Sequence, residues 1–276
     1  MARSRPMLHG QAVIYAVLLV FLALTFVPFV MMLLLSLKTN GDILAHFWAL
    51  PPSPMFSHYG QAFAAIHGYI WNSVKIAACS TLGILFVASL SGYVFARHRF
   101  PFREFLFYLI LSLMMVPAIL TLIPQFLLVK HLGLLGSHWA LILPYISGGQ
   151  VFGILLCRGF FADIPQDIFD AARMDGAREF QVYVRIVIPL SYPILATIGI
   201  MSVFSIYNDF IWPMLVITDN ARQVFTVGLL VFAGEARLDM GPALAGYALG
   251  SLPLLVAISL GMKYFIRGIT SGALKA

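Results

Sequence analysis

The chain has 276 residues, of which 61% are hydrophobic and only 10% are charged, and its mean hydropathy is +0.93. A soluble domain needs about a quarter of its residues charged, so this composition excludes a soluble globular protein and predicts that lipid covers much of the surface. The net charge of +6 does not indicate a nucleic-acid partner, because the basic residues form short clusters between long apolar runs, as in membrane topology.

Six apolar runs are long enough to cross a bilayer, which takes roughly 20 helical residues. In chain order they are Val13–Leu37, Ile70–Ala96, Phe105–Val129, Trp139–Cys157, Tyr192–Ile217 and Ala243–Ile266. The sequence therefore predicts an all-α fold, a polytopic membrane helical bundle forming a single transmembrane domain over residues 1–276. Pro117 and Pro124 predict kinks within the third span.

The orientation of the bundle is predicted from the lysines and arginines in its connections. Twelve of them lie at the termini and in the connections after the second and fourth spans, against four on the opposite side. The richer side is predicted to be cytoplasmic, with both termini on it.

We expect this chain to catalyse no reaction. Cys79 and Cys157 lie in apolar runs, and no histidine pair has metal-binding or catalytic spacing, so we predict no disulfide, metal or catalytic residue. A phosphate loop of the GxxxxGK[ST] type is also missing from the sequence. We therefore expect no cofactor in this chain and expect energy to come from another subunit.

The connection Arg158–Pro189 has more pattern than a simple link between two spans requires. Asp163 is a plausible cap for a first helix, with Pro165 in its first turn. Gly176 supplies the backbone freedom that ends this helix, and a second amphipathic segment follows up to Pro189. Two pairs at i,i+3 spacing are expected to interact, Asp170 with Arg173 and Asp175 with Arg178.

The first of these helices is acidic, which argues against contact with lipid alone. Its aspartates are Asp163, Asp167, Asp170 and Asp175. Anionic headgroups would repel such a face, so a protein partner accounts for it better, although the pattern alone leaves packing on the chain's own bundle open.

This connection resembles the EAA signature of ABC-importer permeases. The matching residues are Asp170-Ala171-Ala172, Gly176, Ile186 and Ile188-Pro189, with Asp170 replacing Glu and Ile188 replacing Leu. Arg99–Pro101, Ile123–Phe126, Tyr207–Pro213 and Arg267–Ala276 are similar to segments of the carbohydrate-importer branch. The chain resembles the shorter permease of a maltose-type sugar importer.

The resemblance implies a type I importer fold in which residues 158–189 form a cytoplasmic coupling segment. It implies a second permease, two ATP-binding cassette ATPases that bind ATP and Mg, an extracytoplasmic solute-binding protein, and the cytoplasmic (inner) membrane of a bacterium or archaeon. The ATPase-coupling residues would be Asp170, Ala171, Ala172, Asp175, Gly176, Ile186 and Pro189. The solute stays open among disaccharides, oligosaccharides, polyols and glycerophosphate-type compounds.

Polar residues inside the fifth span are the candidate solute site. A charge at the bilayer centre costs roughly 2.5–3.5 kcal/mol, so Asp209 should face a cavity or a partner. The residues that could line a path for a hydroxylated solute are Tyr207, Asn208, Asp209 and Trp212. Three alternatives stay open: a hydrogen bond that only fixes the bundle, an ion-coupled secondary transporter using Asp209, and a membrane enzyme.

Overall fold

The computed structural model describes the backbone of residues 6–235 and 239–273 and the side chains of 11–234 and 239–263. The predicted C-terminal motif Arg267–Ala276 therefore lies outside the described side chains. No strand occurs within the described ranges, and the all-α prediction is confirmed.

Thirteen α-helices make up the described chain. They are α1 Pro6–Ser36, α2 Asn40–Ala45, α3 Ser57–Arg97, α4 Arg103–Ser112, α5 Ala118–His131, α6 Trp139–Ala162, α7 Gln166–Met174, α8 Glu179–Val182, α9 Ile188–Leu190, α10 Tyr192–Asn208, α11 Ile211–Val216, α12 Phe225–Glu235 and α13 Met240–Ala273. Short 3₁₀ turns occupy Leu113–Met115 and Asn220–Arg222, and a π-helical turn covers Tyr183–Val187.

Four of these helices are long and apolar enough to cross a membrane, namely segments of α1, α3, α6 and α13. Two further crossings exist only as bent pairs. Arg103–Met115 and Ala118–His131 meet at 101°, and Glu179–Leu190 and Tyr192–Asn208 meet at 75°. The predicted number of six is reached when each bent pair counts as one span.

The third span was predicted as one kinked helix, and the structure corrects this to a break. Val116 is extended at φ −83°, ψ 117°, and Pro117 precedes the first residue of α5. A proline disfavours the helical conformation of the residue before it, which explains why the helix stops at this point. Pro124, by contrast, lies inside α5 without ending it.

The fifth span is also broken where a continuous helix was predicted. Asp209 is extended at φ −67°, ψ 132° and separates α10 from α11. A carboxylate therefore lies at a helix end inside the apolar run, where backbone groups are released from helical hydrogen bonding.

Two compact units can be distinguished along the chain. The first comprises residues up to Ile66 together with Leu229–Ser251. In it, the buried Lys38 donates from Nζ to the carbonyl oxygens of His46 (2.8 Å) and Phe47 (3.0 Å). These bonds tie the loop after α2 to the end of α1.

The second unit comprises His67–Gly228 and the chain from Leu252 onward. Helices α3 and α6 approach closely in it, because a Cβ added at Gly153 would lie 2.6 Å from the Cβ of Ala88. Its largest buried side chains include Phe161, Phe169 and Ile198. This core supports both candidate sites described below.

Candidate functional site

Helix α7 ends in a Schellman motif centred on Gly176. The Gly176 N–H donates to the Arg173 carbonyl (3.0 Å), and the Ala177 N–H donates to the Ala172 carbonyl (3.0 Å). Gly176 has φ +77°, a conformation that glycine adopts without steric cost. The prediction that Gly176 ends this helix and redirects the chain is confirmed.

The start of α7 differs from the prediction. Asp163 was expected to cap this helix, but it is the C-cap of α6, and Pro165 is the residue before α7. The turn around Pro165 sets this boundary, since Pro165 is extended at ψ 137°. The first residues of the predicted segment, from Arg158, therefore belong to α6.

One side of α7 packs against the second unit's core. Phe169 is 1% exposed, and Ala172 is also buried. The Arg97 guanidinium lies 4.1 Å from the centroid of the Phe169 ring. It also donates to the carbonyl oxygens of Phe161 (2.6 Å) and Ile164 and to Gln166 Oε1 (3.2 Å).

Helix α8 is fixed by a network centred on Glu179. The Tyr93 hydroxyl donates to Glu179 Oε2 (2.8 Å), and Arg173 Nη2 donates to Glu179 Oε1 (3.1 Å). Tyr183 hydrogen-bonds to Ser89 (2.7 Å) and packs beside Tyr93. The two helices on either side of Gly176 are thus bound both to each other and to α3.

The opposite side of this α7–α8 pair (Gln166–Val182) is exposed. Its exposed residues include Asp167, Asp170, Ala171, Met174, Asp175 and Phe180. Met174 is 88% and Phe180 72% exposed. Asp170 accepts from Gln166 (2.9 Å) and lies 3.6 Å from Arg173, as predicted. Asp175 and Arg178 form no ion pair among the described residues.

A cavity of about 680 Å³ lies within the second unit, between α5, α6, α10 and α11. Asp209 lines it at the break after α10. The Tyr145 hydroxyl donates to Asp209 Oδ2 (2.8 Å), and Thr226 donates to the Asp209 backbone carbonyl (2.7 Å). The cavity is also lined by the polar side chains of Thr121, Gln125, Ser202 and Ser205, while none of the described lining residues is Lys, Arg or His.

Residues 84–271 match the profile of a protein family described as binding-protein-dependent transport system inner membrane component. This match covers well over half of the chain. The chain belongs to this family.

The chain is similar to two permeases of Bacillus subtilis (strain 168). The probable ABC transporter permease protein YurM is 32% identical over 267 residues, which is 96% of this chain and 89% of YurM. The melibiose/raffinose/stachyose import permease protein MelC is 31% identical over 253 residues, 91% of each chain. Membership in a binding-protein-dependent family contradicts the alternative of an ion-coupled transporter.

The fold of the permease matches that of a solved structure, a bacterial ABC transporter involved in the import of the acidic polysaccharide alginate. The TM-score is 0.82 at 23% identity, covering 96% of this chain and 100% of that one. The predicted importer-permease architecture is thereby confirmed. A permease of this family works with other subunits and a binding protein.

The structure brings only part of the predicted solute path of the permease together. Asp209 and Trp212 line the cavity, and the Trp212 indole donates to the Ala140 carbonyl (3.0 Å). Tyr207 is buried and stacks on Phe225 outside the cavity lining. Asn208 donates to the Phe204 carbonyl within its own helix (2.8 Å).

The predicted coupling residues Ala171 and Ala172 differ in exposure. Ala171 is exposed, whereas Ala172 packs into the core. Ile186 is half-buried against the same core, and Pro189 is exposed.

Sequence reasoning missed Tyr145, Gln125, Ser202 and Ser205 as cavity residues. Each lies in a mostly apolar helix, and Tyr145 lies far from Asp209 along the chain. The available signal was the charge at Asp209, which requires a buried hydrogen-bond donor nearby.

Proposed function

We propose that this permease belongs to an ATP-driven importer of an uncharged sugar or sugar-like solute. The single observation that carries the proposal is the α7–α8 pair, a helix–glycine turn–helix with a packed side and an exposed acidic side. A connection that served only to join two spans would not need a Schellman turn, a buried aromatic anchor and exposed apolar residues beside aspartates. The sugar class is supported by the relative that imports melibiose, raffinose and stachyose.

The exposed side of the α7–α8 pair docks on an ATPase subunit. Asp170, Ala171, Asp175 and Gly176 lie on or beside this surface. Ala171 permits close approach, and the space around Gly176 is open, since a Cβ added there would meet nothing within 4 Å. Ala172 and Ile186 pack against the core and position this surface.

The full assembly contains a second permease, two ATP-binding cassette ATPases and an extracytoplasmic solute-binding protein. ATP and Mg are bound by the ATPases and not by this chain. When the ATPase dimer closes, the α7–α8 pair moves with it and the bundle switches its access from one side to the other. Both termini of the permease lie in the cytoplasm, on the side rich in Lys and Arg.

The cavity forms part of the solute path. Hydroxyl, amide and carboxylate groups offer the donors and acceptors that sugar hydroxyls require. Asp209 is the one acidic residue among the described lining residues, and none of them is Lys, Arg or His, so the described lining offers an anionic solute no opposite charge. This disfavours glycerophosphate-type solutes and favours uncharged polyhydroxylated ones.

The proposal is tested with the permease and its copurifying subunits in proteoliposomes. Melibiose, raffinose and glycerol 3-phosphate serve as probes, and uptake is read by mass spectrometry of the vesicle contents. We expect ATP-dependent uptake of a neutral saccharide that requires the binding protein. Uptake by this chain alone that an uncoupler abolishes, or uptake of glycerol 3-phosphate only, would contradict the proposal.

The role of Asp209 is tested in the same vesicles by Asp209→Asn. Asparagine keeps an acceptor oxygen but removes the charge, which lowers the worth of a hydrogen bond from about 1.5–3 to about 0.5–1.5 kcal/mol, so the KM for the saccharide should rise about tenfold. Asp219→Asn, at an exposed aspartate outside the cavity, is the control. Unchanged uptake kinetics in Asp209→Asn would indicate that the carboxylate only fixes the bundle.

A further inference from the structure

The C-terminal end of α3 contacts both members of the α7–α8 pair. Arg97 contacts α7 by stacking on the Phe169 ring and by a hydrogen bond to Gln166. Tyr93, one turn earlier, donates a hydrogen bond to Glu179 of α8. Both residues project from the same end of a helix that runs from Ser57 to Arg97 without interruption.

The covalent connections on both sides of α7 are not helical. The chain leaves helical geometry between α6 and α7 at Pro165 and between α7 and α8 at Gly176, and it bends by 75° between the segments Glu179–Leu190 and Tyr192–Asn208. Such non-helical positions are where hinges absorb changes in φ and ψ. A movement of the pair therefore depends on side-chain contacts as well as on the chain itself to reach the bundle.

We propose that Arg97 and Tyr93 are the positioning residues that transmit movement of the α7–α8 pair to the transmembrane bundle through α3. This inference rests on the proposed function, because it takes the pair to be the part that the ATPase moves. Arg97 and Tyr93 touch neither ATP nor solute; they act through the pair.

The chemistry of the Arg97 contact explains why arginine is needed. The guanidinium donates to carbonyl oxygens at the end of α6 and to Gln166 while its flat face covers Phe169. A lysine has the same charge but cannot offer a planar fork of donors and a stacking face together. The Arg97→Lys substitution therefore keeps the charge but removes the combination of stacking on Phe169 and multiple hydrogen bonds.

A matched control exists in Arg158. Its guanidinium lies 3.8 Å from the Phe107 centroid and forms two bonds to Glu104, at 2.7 and 2.8 Å. It thus has the same stacked, hydrogen-bonded character as Arg97 but contacts α4 instead of the α7–α8 pair. Arg158→Lys makes the same chemical change away from the pair.

The experiment uses the complete importer in proteoliposomes and measures three quantities for wild type, Arg97→Lys, Tyr93→Phe and Arg158→Lys. These are ATPase retention on the tagged permease, the ATP hydrolysis rate, and the amount of saccharide moved per ATP. We expect Arg97→Lys and Tyr93→Phe to retain the ATPase and hydrolyse ATP, while saccharide moved per ATP falls about tenfold, a usual size for coupling between two sites. Arg158→Lys should keep the wild-type ratio.

The outcomes separate this inference from the proposed function. A wild-type ratio in Arg97→Lys and Tyr93→Phe overturns the inference, and so does an equal fall in Arg158→Lys, which would show a general structural effect. If instead the wild-type complex shows no ATP-dependent uptake, the proposed function fails. If Arg97→Lys does not assemble, Tyr93→Phe, which removes a single oxygen, decides the matter.

Discussion

Two substitutions of Gly176 distinguish the effect of backbone strain on stability from the effect of added bulk on docking at the exposed surface of the α7–α8 pair. Gly176 has φ +77°, and a Cβ placed there would meet nothing within 4 Å. A Cβ at this position therefore adds no clash inside the permease, and its cost is that of a left-handed conformation in an L-residue, about 1–2 kcal/mol. Gly176→Ala and Gly176→Trp share this cost but differ in the bulk that they project outward.

The comparison is made on detergent-solubilised permease by thermal unfolding and by ATPase binding to the immobilised protein. We expect both variants to lose similar stability, and Gly176→Asn to lose less because asparagine tolerates left-handed geometry. Only Gly176→Trp should weaken ATPase binding beyond the loss in Gly176→Ala, by about tenfold or more, since an indole would hold the surfaces apart. Equal binding by Gly176→Trp and Gly176→Ala would refute the assignment of this surface as the docking site.

Two further predictions concern stability. Gly153→Val should lower the free energy of unfolding by about 1–3 kcal/mol, because its side chain would overlap Ala88 in α3. Thermal unfolding measures this loss. Gly159→Val is the control and should lose much less stability, because the space around Gly159 is open. Lys38→Met should lower the free energy of unfolding by about 1–3 kcal/mol, since the carbonyls of His46 and Phe47 lose their hydrogen-bond donor. Lys130→Met, at an exposed position, is the control. Equal melting temperatures for the two lysine variants would contradict the reasoning.

The features that sequence predicted well depend on composition or on one decisive residue. Long apolar runs need lipid whatever their partners, so the number of crossings followed from hydropathy. Gly176 could be predicted as a helix end because a left-handed residue at this position favours glycine over all others. The i,i+3 pair of Asp170 and Arg173 followed from helical geometry alone.

The features that sequence did not predict depend on tertiary packing. Hydropathy averaged over a whole span does not show the breaks at Val116 and Asp209, because the apolar residues on both sides of each keep the average high, and Pro117 predicted only a kink. The side of α7 that packs against the core was not predicted either; Phe169 is its buried anchor beneath Arg97. The pairing of Tyr145 with Asp209 joins distant parts of the chain, which no local pattern encodes.

The most direct test of the account is whether Met174 lies against an ATPase subunit. Met174→Cys is made in a Cys79→Ser background, because Cys79 is exposed while Cys157 is buried, and a thiol-to-amine cross-linker is applied to the assembled importer. The account predicts a cross-link from position 174 to the ATPase, and none from Leu143→Cys, an exposed residue within the membrane span of α6. A position 174 that reacts with an impermeant thiol reagent from the extracytoplasmic side, and forms no cross-link to the ATPase, would contradict it.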